Sequence, residues 1–195
     1  KGKHIIEIGP GRGSLTDEIL DKNPKSIILI EKDNILSQKL SIKYKNNKKV
    51  KVFNNDILSF DLEKRINDKS IIFGNLPYNI SSQILVKLLR LKKWPPKYST
   101  LIFMFQKEMA ERIIGKYGTK KYGRLSILTN YKLNVLKSFD VSPNCFFPVP
   151  RVLSTVISFR PKTKVLKIKK MQNLEKISNI LFSNKRKMIN KNIKK

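Results

Sequence analysis

The chain has 195 residues, of which 40% are hydrophobic, which is enough for one sizeable core and a small appendage. Lys and Arg outnumber Asp and Glu by 42 to 14, and the net charge of +28 favours a polyanionic partner such as nucleic acid, although an AT-rich genome would also enrich Lys, Asn and Ile. The single Cys145 excludes an internal disulfide and a cysteine metal cluster, and no apolar stretch is long enough to span a bilayer. We therefore expect a nucleic-acid-binding protein of a reducing compartment, with no metal and no membrane partner.

Short apolar runs alternate with segments of helical spacing over the first part of the chain. His4 falls inside the first run, so we expect it to be a strand residue and not a ligand. Pro95 and Pro96 are expected to end the fourth helical segment, with Trp94 as a packing residue. This alternation predicts a parallel sheet with crossover helices. The predicted strands are 4–8, 26–30, 49–53, 70–73 and 99–105, and the predicted helices are 14–22, 34–45, 80–93 and 106–115.

The pattern changes in the last third. Residues 133–141 and 152–159 are strand-like and are joined by a proline-rich loop, so we expect an antiparallel pair. An α/β, Rossmann-like, mostly parallel sheet that ends in such a hairpin is typical of class I S-adenosylmethionine (SAM)-dependent methyltransferases. We predict a methyltransferase domain at 1–161. The basic region at 162–195, with a weak helical pattern at 171–189, is either an RNA-docking helix or the start of a small helical C-terminal domain.

A glycine-rich turn, EIGPGRGSLT (7–16), follows the first predicted strand. Gly9, Gly11 and Gly13 allow a tight turn and a close approach of the backbone to a ligand. The spacing is G-x-G-x-G, and not the G-x-G-x-x-G of dinucleotide sites, which weakens a pyrophosphate interpretation. A purely structural turn is the alternative.

Two acidic residues follow at the ends of the next two predicted strands. Glu31 lies twenty residues after Gly11, where a carboxylate can accept hydrogen bonds from ribose hydroxyls. Asp56 follows the third strand, where it can accept from an exocyclic amine of adenine. Because the carboxyl ends of parallel strands form the ligand-binding edge of open α/β sheets, these residues and the glycine turn indicate a nucleoside-containing cofactor.

The fourth strand leads into GNLPYNISS (74–82), at the same predicted edge. The adenine N6 lone pair is delocalised into the ring, so N6 is a poor nucleophile. The Asn75 amide oxygen and the Leu76 carbonyl can accept hydrogen bonds from its two N–H groups and so direct the lone pair to a methyl sulfonium. Pro77 restricts the backbone that presents this carbonyl. Tyr78 can stack on a base that has left its stack. The alternative is an Asn cap before a helix near Ile80.

A second aromatic element lies in the proline-rich loop, NCFFPVPRVLS (144–154). Phe146 or Phe147 can supply the other wall of a base sandwich, and the remaining ring is expected in the core.

These segments together resemble the KsgA-type ribosomal RNA adenine dimethyltransferases. The resemblance runs from residue 4 to residue 160 and continues weakly into ILFSNKRKMINK (180–191). Each motif is moderately specific, and their order is highly specific. The motifs are EIGPGRGSLT (7–16), IEKD (30–33), NNDIL (54–58), GNLPYNISS (74–82), MFQKEMAERI (104–113), KYGRLSIL (121–128) and FFPVPRVLS (146–154).

The resemblance implies SAM-dependent dimethylation, at N6, of two adjacent adenosines near the 3′ end of small-subunit ribosomal RNA, in ribosome biogenesis. It also implies a cytoplasmic protein of bacterial type, with an organelle as the alternative, that binds the small ribosomal subunit as a monomer. The loop KYGTKKYGR (116–124) is implied to contact RNA. For the cofactor, the resemblance implies Gly9 and Gly11 at the methionine part of SAM, Glu31 at its ribose and Asp56 at its adenine, with Asn75 beside them. For the target adenine, it implies that Asn75 and the Leu76 and Pro77 carbonyls hold N6, and that Tyr78 and Phe146 stack on the base.

Three other functions remain open at this point: a large-subunit methylase of the antibiotic-resistance type, a non-catalytic RNA- or DNA-binding factor on the same fold, and a DNA adenine methylase. NLPYNISS and YGRLS resemble the small-subunit group more closely, and a binding factor would not need Glu31, Asp56 and Asn75. The family's N-terminal Gln-Asn-Phe-Leu motif and most of its C-terminal domain are absent, so we expect a partial sequence.

Overall fold

The computed structural model describes residues 2–147, 149–166, 168 and 170–183. Within these residues, seven strands and six α-helices follow one another along the chain. The strands are β1 (His4–Ile8), β2 (Ser26–Glu31), β3 (Val50–Asn54), β4 (Ser70–Asn75), β5 (Tyr98–Gln106), β6 (Leu133–Val141) and β7 (Ser154–Pro161). The helices are α1 (Ser14–Asp21), α2 (Asn34–Lys43), α3 (Ser81–Leu89), α4 (Lys107–Ile114), α5 (Arg124–Lys132) and α6 (Met171–Phe182).

The strands form one mixed sheet in the order β3-β2-β1-β4-β5-β7-β6. Strands β1 to β5 are parallel, whereas β7 is antiparallel to both β5 and β6. The predicted parallel sheet with a closing hairpin is therefore confirmed. The strand order reverses between β1 and β4, and the crevice at the carboxyl ends of these two strands is where open α/β sheets bind ligands. We call the side of the sheet where β1 to β5 end the carboxyl edge.

Both faces of the central strands are buried, which explains why they occur in the sequence as continuous apolar runs. Along β1, Ile6 and Ile8 belong to the large core cluster, whereas Ile5 belongs to a smaller cluster that also contains Leu40 of α2. Residues of α3, α4 and α5 fill the large cluster. The sheet is thus a rigid layer between two sets of helices, and the loops at its carboxyl edge are free to form a site.

Several predicted boundaries change in the structure. Strand β4 continues through Gly74 and ends at Asn75, so the candidate motif begins inside the strand. Helix α3 ends at Leu89 and not at residue 93, so the expectation that Pro95 and Pro96 end it is wrong. The buried Lys132 ammonium donates a hydrogen bond to the Leu89 carbonyl at 2.6 Å and satisfies this acceptor at the end of the helix. Helix α5 was not predicted, and β7 begins two residues late, at Ser154.

Helix α6 packs on the main domain. Arg90 forms a bidentate ion pair with Glu175, and the Tyr122 ring lies edge-to-face against Phe182 at 6.0 Å. The predicted helix 171–189 therefore exists over Met171–Phe182, it ends before Ser183, and residues 184–189 lie outside the described residues. None of the helices in the described ranges has the length and apolar character required to cross a membrane.

Candidate active site

The glycine turn lies at the point where the strand order reverses. Gly9 and Gly11 have φ angles of +67° and +59°, a region that side chains disfavour. A Cβ on Gly9 would lie 3.6 Å from the Asn75 carbonyl oxygen, so the turn and the end of β4 are in close proximity. A Cβ on Gly11 would have no atom within 4 Å. The backbone of Gly11 thus borders open space in which a ligand can approach it.

Gly13 has a different role from the two glycines before it. Its φ is +82°, and a Cβ there would lie 2.6 Å from the Tyr44 hydroxyl oxygen and 3.0 Å from Leu40 Cδ2. The space that a Cβ would occupy is filled by packing around α2, which gives glycine a packing reason at this position, and the predicted approach of Gly13 to a ligand stays a prediction.

Glu31 shapes the turn that it faces. It is 8% exposed, and its two carboxylate oxygens accept hydrogen bonds from the Gly11 and Asp33 backbone N–H groups, both at 3.0 Å. A carboxylate has about four acceptor sites, so two remain for hydroxyl donors of a ligand. We predicted Glu31 as a ligand-binding residue, and in the structure its carboxylate holds the glycine turn in place.

Asp56 lies at the end of the next strand along the sheet. One of its oxygens accepts a hydrogen bond from the Leu58 N–H at 2.8 Å and the other forms an ion pair with Lys32 at 2.9 Å. These two contacts hold the pKa of Asp56 below its ordinary value, so the group is an anionic acceptor at neutral pH. The Lys87 ammonium of α3 donates to the Leu58 and Phe60 carbonyls at 2.8 and 2.7 Å and fixes the loop that carries Asp56.

The segment Asn75–Tyr78 follows directly from β4. The Leu76 side chain is buried and anchors the turn, and no described group donates a hydrogen bond to the Leu76 carbonyl oxygen. The Pro77 carbonyl already accepts from the Ile80 N–H at 3.1 Å. The Asn75 side chain is exposed and makes no hydrogen bond with the described residues. The helix-cap interpretation of Asn75 fails, because the residue that precedes α3 is Ile80.

Tyr78 and Phe146 lie on neighbouring segments of the carboxyl edge. The Tyr78 hydroxyl is 2.7 Å from the Ser154 hydroxyl, the first residue of β7, and Ser154 pairs with Gln106 at the end of β5. The loop that carries Phe146 connects β6 to this same residue. Phe146 is half-buried and Phe147 is fully exposed, and neither belongs to a core cluster, so the expectation that one of these two rings lies in the core is wrong.

Glu7 is a buried acid that the sequence analysis did not single out. It is 2% exposed, and the Thr16 hydroxyl donates to it at 2.6 Å across the glycine turn, which connects β1 to α1. Burial raises the pKa of Glu7 above its ordinary value, and the hydrogen bond from Thr16 offsets only part of this increase. The available signal was an acidic residue inside the apolar run HIIEI.

The arrangement fits SAM as a ligand. The open cradle at Gly11 admits a backbone-bound group, the free acceptor capacity of Glu31 suits a ribose, and the anionic Asp56 at the adjoining strand end suits an adenine amine. The groups of β1, β2, β3 and β4 meet at one edge, in the order in which these strands lie in the sheet. No group of three or more potential metal ligands occurs among the residues that the structure describes.

Comparisons with known proteins agree with this geometry. The ribosomal RNA adenine dimethylase family profile matches residues 1–195. The chain is 45% identical over 193 residues to the ribosomal RNA small subunit methyltransferase A of Pelagibacter ubique, with 97% of this chain and 71% of that protein covered. It is 42% identical to the enzyme of the same name from Malacoplasma penetrans, over 98% of this chain and 67% of that protein.

Solved structures give the same fold. A dimethyladenosine transferase from Plasmodium falciparum superposes with a TM-score of 0.83 at 28% identity and covers all of this chain and 68% of its own. The 23S rRNA methyltransferase ErmE superposes with a TM-score of 0.72 at 24% identity, over 98% of this chain and 75% of its own, which shows a common fold.

The fold and the site define a class I SAM-dependent methyltransferase. The chain belongs to the ribosomal RNA adenine dimethylase family. It is therefore an enzyme that uses SAM as methyl donor and ribosomal RNA as substrate.

Proposed function

We propose that this protein dimethylates N6 of two adjacent adenosines near the 3′ end of small-subunit ribosomal RNA, as a step in ribosome biogenesis. The relatives named as small-subunit methyltransferases, at 45% and 42% identity, support the choice of subunit. The observation that carries the chemistry is Asn75 at the carboxyl edge: its backbone carbonyl lies beside Gly9, and its exposed side-chain amide makes no hydrogen bond with the described residues.

The cofactor would be held by groups from three strand ends. Gly9 and Gly11 border its methionine part, Glu31 accepts from its ribose hydroxyls, and Asp56 accepts from its adenine amine. Asn75 lies where the cofactor and the target base meet. When bound, SAM supplies a methyl group on an electrophilic sulfonium.

The target amine would be held by the Asn75 amide oxygen and the Leu76 carbonyl. Both acceptors are free among the described residues, whereas the Pro77 carbonyl has one of its two lone pairs engaged by Ile80. Hydrogen bonds from the two N–H groups to these acceptors localise electron density on N6 and orient its lone pair. After transfer the nitrogen is cationic and acidic, so its proton passes to water or to one of these carbonyls without a dedicated base. Catalysis then rests on position and charge stabilisation.

The target adenine would enter between two aromatic rings. Tyr78 is held by its hydrogen bond to Ser154, which fixes the orientation of one ring before the base arrives. Phe146, half-buried on the loop that leads to Ser154, would supply the second ring. Base–aromatic stacking suits a nucleotide that has been extruded, because every base has a π-face.

The RNA surface would extend beyond the site. In the loop 116–124, Tyr117 is exposed next to Lys116 and lies edge-to-face on Tyr122, an arrangement suited to bases and phosphates. The net charge of +28 predicts RNA affinity that falls steeply as salt rises. We further propose a domain boundary near residue 161, a monomeric protein, and the cytoplasm, where bacterial ribosomes assemble.

The decisive experiment compares both ribosomal subunits. The full-length protein is incubated with radiolabelled SAM and unmethylated small subunits, and in parallel with large subunits, and the modified nucleotides are mapped. We expect label only in the small subunit, on two neighbouring adenosines. Label confined to the large subunit would favour a methylase of the antibiotic-resistance type, and no label on either would favour a binding factor.

A further inference from the structure

Exposed apolar side chains form a rim on the loop between β6 and β7. Phe147 is 100% exposed and Val149 is 59% exposed, and Val152 and Leu153 are exposed as well. We call these four residues the apolar rim. Single exposed apolar residues are common, but a cluster on one loop marks a contact surface.

The rim borders the proposed base-binding site. Leu153 is followed by Ser154, whose hydroxyl is bonded to Tyr78, and the Leu153 carbonyl accepts from the Lys107 N–H at 2.9 Å where α4 begins. The loop is therefore fastened to the carboxyl edge next to Tyr78. Exposed Arg151 forms no ion pair with the described residues and adds a positive charge that suits an RNA phosphate.

The chemistry of base extrusion shows what such a rim can bind. When the target adenine leaves its stack, the nucleotides on either side of it lose a stacking partner and expose an apolar face. Phe146 is half-buried and available to the extruded base, whereas Phe147 is directed wholly to solvent from the next position of the chain. Apolar side chains that cover unstacked base steps are a common device of nucleic-acid-binding proteins.

We propose that Phe147 stacks on a nucleotide that flanks the target adenine, and that the apolar rim is the surface that receives the RNA strand at the mouth of the site. This inference rests on the proposed function and adds a residue that determines how the substrate is captured. Phe147 contacts the flanking base and does not touch the reacting atoms, so its removal should weaken capture and leave the chemical step intact.

The test combines enzyme variants with altered RNA. Phe147→Ala, Phe147→Trp and the wild type are assayed on unmethylated small subunits, and on subunits reconstituted with an abasic nucleotide on either side of the target pair. Loss of a base–aromatic stack should raise the KM of Phe147→Ala for subunits about tenfold, with kcat within about twofold. Phe147→Trp should keep the wild-type KM. With the abasic nucleotide at the flanking position, the KM of the wild type should rise to the value that Phe147→Ala shows on intact RNA. On this abasic RNA, Phe147→Ala and the wild type should have the same KM.

Phe139→Ala is the matched control, because Phe139 is also an exposed phenylalanine but lies within β6. Its KM should equal that of the wild type. If the wild type transfers methyl groups normally, two results would overturn this inference but not the proposed function. One is an unchanged KM for Phe147→Ala, and the other is an equal rise in KM from Phe147→Ala on intact and on abasic RNA. A wild type that transfers no methyl group to small subunits would overturn the proposed function and this inference with it.

Discussion

Replacement of Asn75 by Ala separates the catalytic role of this residue from a structural one. The Asn75 side chain is exposed and makes no hydrogen bond with the described residues, and α3 is preceded by Ile80. No cap or buried contact is lost, so the free energy of unfolding should change by no more than about 0.5 kcal/mol. SAM affinity should persist, because the Asn75 atom that lies 3.6 Å from a Cβ built on Gly9 is the backbone carbonyl oxygen, which the substitution keeps.

Methyl transfer should respond very differently. Asn75→Ala removes one of two proposed acceptors that orient N6, and the loss of such a preorganised hydrogen bond lowers kcat by about a hundredfold or more. Since each tenfold in rate corresponds to about 1.36 kcal/mol, the barrier should rise by about 2.7 kcal/mol or more. The contrast between the two energies is the signature of a group that acts in the transition state and not in the fold.

The assay is single-turnover methylation of small subunits at saturating SAM, together with calorimetric SAM affinity and thermal melts. Asn79→Ala is the control, since Asn79 is exposed on the same segment and makes no side-chain hydrogen bond with the described residues. It should transfer at the wild-type rate. A near wild-type rate for Asn75→Ala, or a loss of melting temperature that matches the loss of rate, would refute the reasoning.

Five further substitutions, at four residues, test the remaining contacts. Glu31→Ala should weaken SAM binding by about 1.5–3 kcal/mol and also lower the melting temperature, because two backbone N–H groups lose their acceptor; unchanged calorimetric affinity in the folded variant would contradict this. Tyr78→Phe keeps the ring but loses the hydroxyl contact, so subunit KM should rise modestly, whereas Tyr78→Ala should weaken capture by about 1–3 kcal/mol. Gly13→Ala should destabilise the protein by at least about 1 kcal/mol in urea unfolding, since it places a Cβ against Tyr44 at a left-handed φ, and wild-type stability would disprove that packing role. Glu7→Gln tests a pH dependence. Burial raises the Glu7 pKa, so the contribution of Glu7 to stability is present below its unfolded pKa and is lost as pH rises through its folded pKa. The free energy of unfolding of the variant, relative to that of the wild type, should therefore be higher at pH 8 than at pH 4.

The alternation of apolar runs and helical spacing was enough to predict the sheet. Strands buried on both faces leave a continuous apolar run in the sequence, as in SIILI for β2, and Gly residues mark the turn after β1. Helix α5 was missed because it is short and carries little periodic apolar signal; its first turn is closed by the Gly123 N–H, which donates a hydrogen bond to the Ser126 hydroxyl oxygen. The end of α3 was misplaced because a residue 43 positions away, Lys132, satisfies its last carbonyl.

For the site, the sequence by itself determined which residue types stand at the strand ends: glycines after β1, Glu31 at the end of β2, Asp56 after β3 and Asn75 at the end of β4. Parallel strands end at one edge, so their convergence followed from the chain order alone. Only the tertiary structure decided how the space and the hydrogen bonds are shared. Packing fills the Cβ side of Gly13, Glu31 holds the turn with its carboxylate, and the Asn75 side chain has no hydrogen bond with the described residues. These outcomes depend on contacts between segments that no local pattern encodes.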